Sequence, residues 1–197
     1  INGFGEKQLT VYRQDLDIPE WFYDAIIYQI FPDRFFRGNG SVFFKKDSFI
    51  YATWEDMPMY IRNEDNEIVR WDFYGGNLWG VAQKLEYIKA LGANVIYLNP
   101  IFKAVSNHRY DTCDYTKVDE VLGGEEAFSH LLSQAQKEKI GIMLDGVFSH
   151  TGSDSIYFDM YNKYGNGAYH NEDSPYRSWY RFKEDGTYEC WWDIAAV

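Results

Sequence analysis

Apolar residues along this chain fall into short blocks whose spacing alternates between that of a buried strand and that of an amphipathic helix. Ala25 to Phe31 (AIIYQIF) is a β-branched and aromatic run halted by Pro32, the pattern of a buried strand. Leu78, Val81, Leu85, Ile88 and Leu91 then recur at helical spacing, with Gly92 placed as a C-terminal cap, which predicts one helix. Asn94 to Leu98 (NVIYL) reads as a second strand, its end marked by Pro100. Ala127, Phe128, Leu131, Leu132 and Ala135 form a second helical stripe, which leads into the run that opens at Ile140, IGIMLDGVFSH. The order is β-α-β-α-β. With apolar runs as strands, it predicts a parallel sheet with right-handed crossovers.

Two segments break this rhythm. Phe36 to Asp72 and Thr151 to Val197 are long, polar and aromatic, with Gly and Asn punctuation and weak periodicity. Long loops of that kind inside a compact fold are usually functional. Ahead of the first strand, Lys7 to Gln14 (KQLTVYRQ) alternates like an antiparallel strand and is set off by Asp17-Ile18-Pro19, as the last strand of an upstream domain would be. The opening residues carry no initiator Met and no signal pattern, so the expectation is that the chain begins inside a longer polypeptide.

The third apolar run carries the first candidate chemistry. Asp145 is its first ionisable residue and falls at the strand's C-terminal end, with His150 five positions on. In a barrel of alternating strands and helices that end holds the chemistry, because its loops converge on one pocket. The competing reading makes Asp145 a turn cap and His150 a satisfied loop histidine. The stretch after the second strand, LNPIFKAVSNHRYDTCDY, places His108, Tyr110, Asp111 and Asp114 on the same rim. Asp111 and Asp114 serve equally well as turn formers.

Composition removes several function classes. No apolar stretch approaches the roughly 20 residues needed to cross a bilayer. Lys plus Arg number 19 against 30 Asp plus Glu, a net charge of −11, with no basic face for phosphates, so neither a membrane nor nucleic acid is an expected partner. Cys113 and Cys190 stand far apart with no CxxC or His-rich spacing, which suggests free thiols and leaves the compartment open. Aromatics make up 19% of the chain, so most rings must be core; for Trp191 and Trp192, burial and stacking on a ligand are equally open.

Taken in order, AIIYQIFPDRF, FYGGNLWG, the His108 to Asp114 stretch and DGVFSH resemble the α-amylase superfamily, glycoside hydrolase family thirteen, and within it the neopullulanase, cyclomaltodextrinase and amylopullulanase branch. The resemblance runs from about Pro19 to the C-terminus. It implies an α/β fold, the N-terminal part of a TIM (β/α)8 barrel with about three βα units and a loop domain inserted after the third strand. Residues 1–18 then read as the tail of an upstream domain or a linker, 19–150 as the first three strands of the catalytic barrel, and 151–197 as the inserted loop domain.

The resemblance also assigns roles. Asp145 helps hold the catalytic centre and His150 hydrogen-bonds the sugar where cleavage occurs, while His108 and Tyr110 match the family's His-x-Tyr, the Tyr ring packing on a sugar face. Asp33 and Arg34 match a pair read here as internal ion pair or rim support. A retaining glycosidase needs two carboxyl groups about 5–5.5 Å apart. In this family they come from later strands, so no catalytic nucleophile or acid/base is expected within this chain, and the rest of the barrel is its implied partner.

The implied parent is a bacterial-type enzyme, cytoplasmic or secreted. It hydrolyses α-1,4 glucan bonds in starch-derived oligosaccharides or polysaccharides, with α-1,6 cleavage and transglycosylation left open. Two alternatives stand beside it. One is a non-catalytic carbohydrate-binding or scaffold protein on the same barrel, and the other an unrelated barrel enzyme using Asp145 and His150 as a metal or acid/base pair. No organic cofactor is implied, and calcium is doubtful. Many relatives hold calcium through an Asn where Ser149 stands here, or through an acidic loop and a Gly-Gly-Asp turn. The corresponding stretches read Arg37-Gly38-Asn39-Gly40-Ser41 and Gly75-Gly76-Asn77, neutral groups plus an added Arg.

Overall fold

The computed structural model describes residue 11 and residues 17–40 and 43–190. The proposed N-terminal strand at Lys7 to Gln14, apart from Val11, and the Trp191-Trp192 pair lie outside the described residues. A single turn of helix, α1 (Glu20–Tyr23), precedes strand β1 (Ile27–Ile30), which runs into a 3-10 turn at Pro32–Arg34. The first insert carries β2 (Ser48–Ile50), β3 (Ile61–Arg62) and β4 (Ile68–Phe73). Helices α2 (Leu78–Gln83) and α3 (Leu85–Ala90) lead to β5 (Val95–Leu98). Strands β6 (Phe102–Ala104) and β7 (Thr112–Val118) follow, then α4 (Gly124–Glu138) and β8 (Gly141–Leu144).

The three apolar runs pair as the sequence implies. β5 lies between β1 and β8, parallel to both, with Ile30 opposite Leu98 and Leu98 opposite Leu144. Being central, β5 is buried, with Ile96 and Leu98 fully inside, whereas Ile27 on β1 remains 46% exposed. Among the described residues, β1 and β8 each pair along one side only. The helices cover one face of the sheet. Leu78, Val81, Leu85 and Ile88 meet Ala127, Leu131 and Ala135 over Ile30, Ile96 and Leu98 in one apolar core.

One expected helix is two. The stripe from Leu78 to Leu91 is interrupted at Lys84 (φ −104°, ψ 9°), yet Leu78 and Val81 on one side and Leu85 and Ile88 on the other all remain buried. The apolar spacing survives the break because the bend stays within the same core-facing stripe. Asn77 caps α2 by accepting Gly80 N–H at 2.8 Å, and Gly80 itself is demanded by crowding: a Cβ there would stand 1.9 Å from the Phe36 carbonyl oxygen. Gly92 follows α3 at φ +87°, the left-handed exit that the sequence placed there.

The inserts hold more order than their weak periodicity suggested. In the first, β4 pairs in parallel with β2 and antiparallel with β3. After β5, β6 and β7 form an antiparallel pair with two irregularities of register. Strands of two or three residues and bulged partners blur the two-residue alternation by which a strand is read. The second insert, described over 151–190, is mostly irregular and gathers its own small core, with Phe158 and Ala168 buried beneath Tyr169, Tyr176, Tyr180, Phe182 and Tyr188. Asp159 pins its central loop: at φ +56°, its carboxylate accepts the N–H groups of Lys163, Tyr164 and Gly165.

Candidate functional site

The C-terminal ends of β5 and β8 lie side by side, and the candidate residues collect there. Asp145 N–H donates to the Leu98 carbonyl at 3.1 Å, which fixes the first residue after β8 against the end of β5. Tyr110 reaches across and its hydroxyl donates to Asp145 Oδ2 at 2.9 Å. Burial, and then the Asp145 carboxylate, push the Tyr110 hydroxyl up to about 12, so this proton stays on the phenol. Tyr97, on β5, is raised in the same way, first by burial and then by Asp145. The sequence reading did not single out Tyr97; its signal was the penultimate position of a strand whose end carries the site.

The turn from Ser106 to Asp111 presents its residues in alternation. Asn107 turns inward, its Nδ2 donating to the Asp72 carbonyl at 2.8 Å and to Asp72 Oδ1 at 3.1 Å. Arg109, wholly buried and at φ +63°, donates through Nε to Asp119 Oδ2 at 2.7 Å and through Nη1 to the Asn107 carbonyl at 2.6 Å. Among the described residues, its Nη2 is buried without a hydrogen-bond partner. Lys45, from the first insert, adds a second cation on Asp119 and donates to the Ala104 carbonyl. Asp111 accepts the N–H groups of Val105 and Ser106, so its carboxylate shapes the turn. Between these anchors, His108 and Tyr110 face outward with ring centroids 5.9 Å apart.

His150 stands nearby on the loop after β8, close enough that its charge depresses protonation of His108. Its Nδ1 lies 3.0 Å from Ser149 Oγ, and Tyr115 hydroxyl donates to its carbonyl at 2.9 Å. His150 lines a cavity of ≈ 780 Å³ with Tyr115, Phe148, Tyr157, Trp179 and Arg181 among its walls. Tyr157 and Trp179 stack at 5.3 Å, and Trp179 is 57% exposed. His108, Tyr110 and Asp145 are not part of that wall; they form the neighbouring rim. The arrangement offers what a pyranose requires, aromatic faces for its CH surface and polar groups for its hydroxyls.

Asp33 and Arg34 serve the frame. Asp33 is fully buried and accepts Tyr74 N–H and Gly75 N–H, each at 3.1 Å, while Arg34 Nε lies 3.0 Å from its Oδ2 as an ion pair and Nη2 reaches Asp72. Burial raises the Asp33 carboxyl, against the pull of those N–H groups and of Arg109 and Arg34. Asp114 bonds Thr116 through its N–H and hydroxyl, a local turn contact. The two stretches expected to correspond to relatives' calcium sites are occupied by internal bonds. Arg37 donates to the carbonyls of Tyr51 and Tyr74, and Asn77 Oδ1 accepts from Gly38 and Gly80. Among the described residues no group of three or more His, Cys, Asp or Glu gathers in metal-binding geometry.

Residues 29–193 match the family described as the α-amylase catalytic domain. The chain belongs to the α-amylase family. Family members with similar sequences include an amylopullulanase of Thermoanaerobacter thermohydrosulfuricus, 47% identical over 96% of this chain and 14% of its own length. An intracellular maltogenic amylase of Bacillus subtilis (strain 168) is 39% identical over 82% of this chain and 24% of its own. Among solved structures, a cyclic α-maltosyl-(1→6)-maltose hydrolase from Arthrobacter globiformis superposes with a TM-score of 0.72 at 31% identity, covering 90% of this chain and 38% of that one. This chain therefore spans a minor part of the family members it matches, and its β1-β5-β8 sheet is part of the family's barrel.

Proposed function

We propose that this chain supplies the first strands and part of the sugar-binding rim of a retaining hydrolase of starch-derived α-glucans. The observation that carries the reading is the junction of β5 and β8, where Tyr110 is bonded to Asp145 beside His108 and His150, in a chain of the α-amylase family. Tyr110 offers its ring face to a sugar while its hydroxyl is tethered. His150 hydrogen-bonds sugar hydroxyls, and Asp145 acts as an anionic anchor that orders the rim. The two reacting carboxyl groups come from the remainder of the barrel, so the 197 residues alone carry no hydrolysis. The similar solved structure in complex with maltose supports a gluco-oligosaccharide ligand class.

No calcium is needed at the Arg37 and Asn77 stretches, because their side chains and the neighbouring carbonyls are already committed to one another. The test compares two polypeptides of verified mass on soluble starch and pullulan: the 197-residue chain, and the same chain continued through the rest of its barrel. Reducing-sugar release by the longer polypeptide only is expected. Activity of the short chain, or binding of maltooligosaccharide without turnover by a longer chain whose barrel is complete, would overturn the reading; the second outcome would favour a carbohydrate-binding scaffold.

A further inference from the structure

Strand β7 leaves the rim turn at Thr112 and carries Tyr115 against the loop that follows β8. The Tyr115 hydroxyl has one proton and two acceptors, the carbonyls of Val147 and His150, the second at 2.9 Å. Shared in this three-centre way, it closes the loop from 147 to 150 into an arc. Burial pushes the phenol up to about 12, so the proton stays in place at any ordinary pH. β7 grips the same loop at its far end. Gly152 N–H donates to the Thr112 carbonyl at 2.9 Å, and a Cβ on Gly152 would stand 2.7 Å from the Asp111 carbonyl oxygen, so the chain there lies directly on the start of β7. Tyr115 is itself seated: its N–H donates to the Tyr157 hydroxyl at 3.2 Å, and its ring meets those of Tyr157 at 5.6 Å and Phe148 at 5.5 Å. One strand therefore continues from the turn that presents Tyr110 and holds the loop that presents His150.

We propose that Tyr115 is a positioning residue for His150: its hydroxyl fixes the backbone arc from Val147 to His150, and with it where the imidazole stands on the cavity wall. Tying the His150 carbonyl to β7 fixes the backbone from which the imidazole extends by a short side chain. Loss of the hydroxyl with the ring kept leaves two carbonyls without their donor while the aromatic packing remains, so the arc gains freedom and the core does not. Tyr115 also lines the cavity, and direct contact with a ligand is the competing role. The two roles separate cleanly. A residue that acts through His150 loses its influence once His150 is gone, whereas one that touches the ligand keeps it. The effect on turnover rests on the glucan reading; the hold on the loop does not.

The test is a double-mutant cycle of Tyr115→Phe and His150→Ala in the chain continued through the rest of its barrel, with soluble starch as substrate. Tyr115→Phe should lower kcat/KM by roughly three- to tenfold when His150 is present, the scale of one neutral hydrogen bond. In the His150→Ala background the same change should cost less than about twofold. Tyr115→para-aminophenylalanine, which keeps a donor at the same place, should restore kcat/KM. Hydrogen exchange read by mass spectrometry should accelerate over 146–151 in Tyr115→Phe, with β5 unchanged. Where His150→Ala is impaired, an undiminished kcat/KM in Tyr115→Phe, an equal loss in both backgrounds, or no restoration by the amino variant would overturn the proposal. So would unmoved exchange over 146–151, or a Tyr115→Phe protein that fails to fold, which would make the hydroxyl part of the core. If His150→Ala leaves kcat/KM unchanged while exchange over 146–151 still accelerates in Tyr115→Phe, the glucan reading of His150 fails and the hold on the loop stands.

Discussion

Removing Asp119 should cost the fold more than removing either of its partners' charges would suggest. The carboxylate is 2% exposed and faces Arg109, wholly buried, and Lys45 from the first insert. In Asp119→Ala both cations lose their counter-ion. Lys45 can shed its proton, because burial already lowers its pKa, but a guanidinium cannot. The residual penalty is that of an unpaired buried charge, about 3–5 kcal/mol. For a domain of this size that corresponds to a fall in Tm of roughly 6–20 °C. Lys45→Met leaves the Arg109–Asp119 pair intact and forfeits hydrogen bonds worth about 1–3 kcal/mol, so it should shift the transition much less. The sign of the pH dependence follows from Asp119 itself. Burial would raise its carboxyl, but Arg109 and Lys45 override that and hold it below the usual range. Its contribution is therefore complete above the ordinary carboxylate pKa, near 4, and is lost as pH falls through the lower folded value. Thermal melts of the three proteins at neutral pH and in acid measure both effects. A loss under about 1 kcal/mol for Asp119→Ala, or equal losses for the two variants, would refute the reasoning.

On the proposed function, His150→Ala in the chain continued through its barrel should lower kcat/KM by about 1–3 kcal/mol through a lost hydrogen bond to the reacting sugar; unchanged kinetics would assign His150 to the loop alone. Tyr110→Ala should impair turnover more than Tyr110→Phe, but Phe should not be silent, since it releases Asp145; steady-state kinetics of Phe equal to wild type would deny the tether a role. Exchanging millimolar calcium for a chelator should leave Tm unchanged, and a chelator-induced fall would show that carbonyls and waters hold an ion where Arg37 now sits. Asp159→Ala should loosen residues 159–165, where three N–H groups lose their acceptor, visible as accelerated local hydrogen exchange with β5 still protected; uniform protection would contradict it.

The barrel strands were legible because each is a continuous apolar run and a parallel strand covered by helices must be one. β5 fits that rule best, since it lies between two partners. The rim positions were legible from the strand ends, where Asp145 is the first charge after four strand residues. What stayed hidden has a common cause. β2 and β3 are three and two residues long, too short to show a period, and β6 and β7 are paired with bulges. The helical break at Lys84 left no mark because the apolar spacing continues across it. Nor could spacing reveal that Arg109, a charged residue in a polar turn, is among the most buried side chains, paired with Asp119 ten positions away.

The alternation of the turn from Ser106 to Asp111 separates two kinds of variation. Positions 107 and 109 are tied into the ionic interior, while 108 and 110 face the rim, with Ser106 and the Trp71 ring as the frame contacts of His108. On the proposed function, a combinatorial library randomised at 108 and 110 would therefore sample ligand preference among members that mostly still fold, whereas one randomised at 107 and 109 would be depleted before any selection for binding began. The turn is in that sense an evolvable cassette: its outward positions can drift while its scaffold is held constant by Asn107 and Arg109.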